Sequence, residues 1–103
     1  MTNSRKRTFS FVLYSDPGHG WLAVRRALLL RYAKAALAIT RYSYQRGGNV
    51  SLEEDCDCQS FLEAFRDEGR AFKIVEKTCA RNQSRIRTYD RFSLTDIEKG
   101  KLA

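Results

Sequence analysis

A chain of 103 residues, 43 % hydrophobic and 12 % aromatic with a single proline, carries enough apolar surface for one modest core and is not composed like a disordered chain. Its net charge of +7 is unevenly spread: nine basic side chains face one acid in residues 1–50, one faces seven in residues 51–68, and nine face four in residues 69–103. No apolar run reaches the length of a membrane span, no signal-peptide core follows the N-terminus, and Cys56, Cys58 and Cys79 make no disulfide framework; the expectation is a soluble cytoplasmic protein.

Residues 1–7 read as a flexible basic arm. The stretch TFSFVLYS (8–15) alternates and predicts a strand with Phe9, Phe11 and Leu13 toward the core. In DPGHG, Asp16 ahead of Pro17 sets a turn, and Gly18 and Gly20 permit positive φ; WLAV then returns as a short strand. RRALLLRYAK (25–34) predicts a helix with Val24, Leu28, Tyr32 and Ala35 on one stripe and Arg26, Arg31 and Lys34 largely opposite. AITRYSYQ (38–45) and VSLEE (50–54), joined by RGGN, predict a hairpin.

DCDCQSFLEAFRDEGR carries the clearest helical pattern, with Asp55 or Asp57 as cap, an apolar stripe of Phe61, Leu62 and Phe65, and Gly69 as the stop. AFKIVEK (71–77) reads as a strand, TCARNQS as a loop, and RIRTYDRF (85–92) as an edge strand with Ile86 between Arg85 and Arg87. Thr95 and Glu98 have capping-box spacing ahead of a short C-terminal helix or tail, residues 93–103. The whole predicts an α+β two-layer sandwich: a single domain over 8–92, with a mostly antiparallel sheet of four to six strands and two main helices.

SDPGHGWLAV (15–24), ITRYSY (39–44), LEEDCD (52–57) and QSRIRTYDR (83–91) together resemble a family of small uncharacterised proteins of phages, prophages and mobile elements. The resemblance spans residues 8–92. It implies a small accessory protein acting in a bacterial host cell, of a class whose members often bind and inhibit host machinery, defence nucleoproteins included. It implies no assigned activity.

Four sets of residues invite a functional reading, each beside a structural one. Asp16 and His19 sit on a glycine-flanked loop where an imidazole can serve recognition or proton transfer; as structure, the same loop is an Asx-turn with Trp21 plugging the sheet. The acidic run Glu53, Glu54, Asp55 and Asp57 could meet a basic partner, and Glu54 with Asp55 could hold Mg²⁺; as structure, it is a strand end and a helix start that welcomes acids. Cys56, Cys58 and Cys79 with His19 offer four zinc-type ligands, but at a spacing unlike a zinc knuckle, and buried thiols explain them as well.

The fourth set is basic and aromatic: Arg5, Lys6 and Arg7 on the arm, Arg26, Arg31 and Lys34 on the first helix, Arg41, Tyr42, Tyr44 and Arg46 on the hairpin, and Arg81, Arg85, Arg87, Tyr89 and Arg91 near the C-terminus. Arginine binds phosphate bidentately and tyrosine stacks on bases, so this mixture suits nucleic acid; as structure, it is a charged sheet edge. Three functions follow. The first is a non-enzymatic binder or inhibitor of a host protein or defence nucleoprotein, contacting it through Asp16, His19, Glu53, Glu54 and Asp55. The second is direct binding of DNA or RNA by the basic set. The third is a metal-dependent hydrolase or nuclease built on Asp16, His19 and Glu54. The first expectation needs no cofactor and no membrane.

Overall fold

The alternation of Phe9, Phe11 and Leu13 with Thr8, Ser10 and Val12 becomes a sheet strand paired on both sides. The computed structural model describes residues 8–79 and 84–102; the basic arm 1–7 and residues 80–83 of the loop expected after the fifth strand lie outside that range. In chain order come β1 (Phe9–Ser15), β2 (Gly20–Arg25), α1 (Arg26–Leu29), α2 (Ala33–Leu37), β3 (Tyr44–Arg46), β4 (Asn49–Glu53), α3 (Asp57–Asp67), β5 (Phe72–Thr78), a 3-10 turn at Arg85–Thr88, β6 (Asp90–Arg91) and α4 (Asp96–Leu102). The six strands form one sheet in the order β5-β1-β2-β4-β3-β6. All pairs are antiparallel except β1 with β5, which the crossover through α3 makes parallel. The fold is α+β, with four helices against a mostly antiparallel sheet.

Period-two alternation sorts the sheet into two faces. Leu22 lies between Leu13 and Leu52, and Val24 beside Val50. With Phe11 they meet Leu29 of α1, Ala35 and Ala36 of α2, and Phe61, Leu62 and Phe65 of α3 in one buried core. Phe11 sets its ring edge against Phe61 and Phe65 at centroid distances of 5.6 and 5.4 Å. The opposite face carries Trp21 across from Glu53, and Tyr44 across from Ser51. Trp21, Tyr44 and Ile86 form a second, smaller buried cluster with Tyr89 against it, so the segment around the 3-10 turn roofs this back face.

The hairpin forms as its sequence demands, with Arg46 paired to Asn49 and Gly47 at φ +59° in the two-residue turn. Helix α3 ends where predicted, with Gly69 at φ +80°. The capping box at α4 also forms: Glu98 N–H donates to Thr95 Oγ1 and Thr95 N–H to Glu98 Oε1.

Four local expectations are overturned. The helix expected over 25–34 is two short helices, because Val24 and Arg25 extend β2 and the chain re-aims at Leu30–Tyr32 to bring Tyr32 against Phe61 and Phe65. Residues 38–43 are not strand. The Asp57 carboxylate accepts bonds from Thr40 N–H, Thr40 Oγ1 and Ser43 Oγ, and this bends the segment into a loop. Asp57 is thereby buried in the fold rather than capping α3, whose N-cap position is Cys56 with no side-chain bond. The edge strand expected over 85–92 shrinks to Asp90–Arg91 behind the 3-10 turn. Among the described residues no helix is long and apolar enough to cross a membrane.

Candidate functional site

The loop between β1 and β2 is closed from within by Asp16. Its Oδ1 accepts the amides of Gly18 and His19, the Asx-turn expected from DPG, while Asp16 N–H donates to the His19 carbonyl. Its Oδ2 accepts Ser84 N–H at 2.7 Å and Arg87 Nε at 2.8 Å, and Arg87 Nη2 returns to Oδ1 at 3.0 Å. The Arg87 guanidinium, joined by the amides of Ser84, His19 and Gly18, holds the buried Asp16 carboxyl well below the usual carboxylate range, against the opposing effect of burial. The same pairing raises the Arg87 pKa.

Asp16 is therefore a tie between two segments far apart in sequence, and it is not exposed for partner recognition as its loop position implied. Gly18 and Gly20 do not take left-handed φ; Gly20 is small for another reason, since a Cβ there would lie 2.9 Å from the Glu54 carboxylate.

With Asp16 turned inward, His19 is the exposed titratable side chain of the loop, its ring centroid 6.0 Å from that of Trp21. Facing it are two carboxylates. Glu53 ends β4 directly across from Trp21, and Asp55 follows on the exposed turn before α3. One ligand atom from each of His19, Glu53 and Asp55 lies within 4.8 Å of the other two. These side chains open on a cleft of ≈ 470 Å³ walled by Trp21, Tyr42 and Tyr44, with Arg87 and Arg91 on its rim.

The carboxylate pair differs from the one the acidic run pointed to. Glu54 lies against Gly20 and is not in the cluster, so Asp16 and Glu54 do not join His19 in a ligand set. Strand parity carries the signal: Val50 and Leu52 point to the helices, which sends Ser51 and Glu53 to the back face.

No cysteine joins the cluster among the described residues. Cys56 is exposed, Cys79 half-buried, and burial followed by the charges of Glu54 and Glu53 pushes the buried Cys58 thiol up to about 11.

The basic and aromatic residues of the hairpin and of the C-terminal segment, separated by some forty positions in sequence, meet on this same face. The guanidinium of Arg87 lies 5.2 Å from the Trp21 ring, that of Arg91 4.8 Å from Tyr44, and that of Arg46 5.1 Å from Tyr89. Beyond Ile86 a second groove of ≈ 740 Å³ runs between Arg46, Arg85 and Tyr89. Tyr42 is 62 % exposed at the mouth of the first cleft, and Arg41 is exposed beside it.

Helix residues of the basic set do not join this face. Arg26 is bound to both Glu98 carboxylate oxygens, to Gln45 Oε1 and to the Ser93 carbonyl, a clamp on the C-terminal segment. Arg31 and Lys34 are exposed on the helical layer, away from the sheet's back face. Arg91, the last residue of the basic set, also joins the face through its pairing with Tyr44 across β3 and β6. Comparison of the chain with family models, with curated proteins and with solved structures finds no match.

Proposed function

We propose that this protein is a non-enzymatic binder of nucleic acid, free or within a nucleoprotein, and that the back face of the sheet is the contact surface. One observation carries the reading: arginines and tyrosines from the hairpin and from residues 84–91 converge there as stacked pairs beside two open grooves. A guanidinium stacked on an aromatic ring keeps its N–H edge free in the ring plane, where it can bind a phosphate bidentately. Among the described residues, Arg41, Arg46, Arg85 and Arg91 form no ion pair, so their charge is open to a polyanion. Exposed Tyr42 supplies a stacking platform for an unpaired base. Grooves between single side chains suit one strand rather than a duplex. A role in a phage or mobile element, against a host defence nucleoprotein, follows from the sequence resemblance alone.

The test is fluorescence anisotropy with labelled mixed-sequence single-stranded DNA and RNA over a salt series. Four phosphate contacts give a log–log slope of about −2.8, so affinity falls roughly 50-fold between 50 and 200 mM salt. Arg46→Ala/Arg85→Ala removes two contacts and flattens the slope by about 1.4, whereas Tyr42→Ala weakens binding by ~1–3 kcal/mol per stacked base and leaves the slope alone. Undetectable binding at low salt, or a slope indifferent to the double substitution, would overturn the proposal.

A further inference from the structure

We propose that His19, Glu53 and Asp55 form a binding site for one divalent first-row transition-metal ion, Mn²⁺ or Zn²⁺, at the floor of the back-face cleft. The three ligands come from a loop, a strand end and the turn that follows it, and their ligand atoms already lie within 4.8 Å of one another. An ion with bonds of about 2.0–2.2 Å spaces its donors roughly 3–4 Å apart. Small rotations of His19 and Asp55, both exposed, close the remaining distance without moving the sheet.

Glu53 is the anchor. It is only 7 % exposed, and its residual surface opens into the cleft. Asp55 N–H donates to its Oε2 and Cys56 N–H to its Oε1, which fixes the carboxylate and leaves about half of its acceptor positions free. Among the described residues no Lys, Arg or His nitrogen lies within 4.0 Å of it. The two arginines on the rim are engaged elsewhere: Arg87 holds Asp16, and Arg91 Nη1 donates to the Arg41 carbonyl. A buried carboxylate with no cationic partner is costly, and a bound cation supplies that partner.

One imidazole nitrogen and two carboxylates favour Mn²⁺ or Zn²⁺ over Mg²⁺ and Ca²⁺, which prefer oxygen alone. Three protein ligands leave coordination positions open toward the cleft, where Arg91, whose charge no carboxylate neutralises among the described residues, would favour an anionic fourth ligand.

This inference goes beyond nucleic-acid binding and is tested without nucleic acid. The chelator-treated full chain, kept reduced, is titrated with Mn²⁺ followed by electron paramagnetic resonance, and with Zn²⁺ by calorimetry. The expected result is one ion per chain and, at free metal about 100-fold above Kd, a melting temperature raised by roughly 10–20 °C. His19→Ala and Asp55→Asn, both at exposed positions, should each weaken binding more than about 100-fold with an unchanged circular dichroism spectrum, beyond the 10–100-fold typical of losses around a metal's ligands. Glu54→Gln, outside the cluster, should leave affinity unchanged. Failure of the wild-type chain to take up either ion, or uptake that survives both His19→Ala and Asp55→Asn, would overturn the site.

Discussion

Replacing Asp16 by Asn tests whether one carboxylate ties the loop of residues 15–20 to the segment that roofs the back face. Asp16 accepts five hydrogen bonds: from the amides of Gly18, His19 and Ser84, and from Nε and Nη2 of Arg87. Asn keeps one acceptor oxygen and turns the other position into a donor facing donors. Hydrogen bonds to a charged group contribute about 1.5–3 kcal/mol each, and breaking one side of a buried ion pair costs about 3–5 kcal/mol. The Arg87 side chain is 27 % exposed while that of Asp16 is closed to solvent, so water recovers part of the loss on the arginine side and the lower figure, about 3 kcal/mol, is expected. In a domain of this size that lowers the melting temperature by roughly 12–24 °C.

Acid sharpens the test. Because the folded-state pKa of Asp16 is depressed, the stability it contributes is fully present above its unfolded value, about 3.9, and drains away as pH falls toward the folded value. The gap between wild type and Asp16→Asn should be level from pH 5 to 8 and narrow steadily below pH 4. Urea unfolding at each pH measures it. A gap under about 1 kcal/mol at pH 7, or one that does not narrow in acid, would show that the tie does not hold the two segments together.

Two further outcomes follow from the same geometry. Arg26→Ala should free α4 and cost about 1–2 kcal/mol, read as faster amide exchange over residues 96–102. Because Arg26, and then Thr95, hold the Glu98 carboxyl down at about 2, that contribution is intact above the ordinary glutamate range and is lost as pH falls toward 2. Iodoacetamide at pH 8 should label Cys56, which is exposed, and spare Cys58, which burial holds as a thiol with its pKa near 11; mass spectrometry of the native chain shows which. Equal labelling of the two would contradict the packing of α3 against the sheet.

What the sequence disclosed and what it hid divide along one line. Strands β1, β2 and β4, the hairpin turn and α3 are written in local periodicity, and each packs the face its pattern assigns. Segments 38–43 and 85–89 have the alternation of strands but are shaped by distant carboxylates. Asp57 reaches seventeen residues back to Thr40, and Asp16 reaches sixty-eight and seventy-one residues forward to Ser84 and Arg87. Both carboxylates had a sufficient local explanation, a helix cap for one and an Asx-turn for the other, and nothing in spacing announces a second, long-range use. The site was half legible for the same reason. His19 and Asp55 stood out by residue type, whereas Glu53 required the parity of β4 to separate it from Glu54.

The tie at Asp16 also decides how the two proposed binding events must be dissected. It fixes the backbone that carries His19 and, through Ser84 and Arg87, the turn that carries Arg85 and leads to Tyr89. Loosening it should weaken metal and nucleic acid together although Asp16 touches neither, so a joint loss in Asp16→Asn says nothing about shared chemistry. His19→Ala and Arg46→Ala/Arg85→Ala leave the tie intact and act on different grooves. If His19→Ala abolishes metal uptake while nucleic acid still binds with its full salt slope, the cation site and the phosphate contacts are separate functions of one face. If it also costs nucleic-acid affinity only when Mn²⁺ is present, the ion itself is one of the contacts.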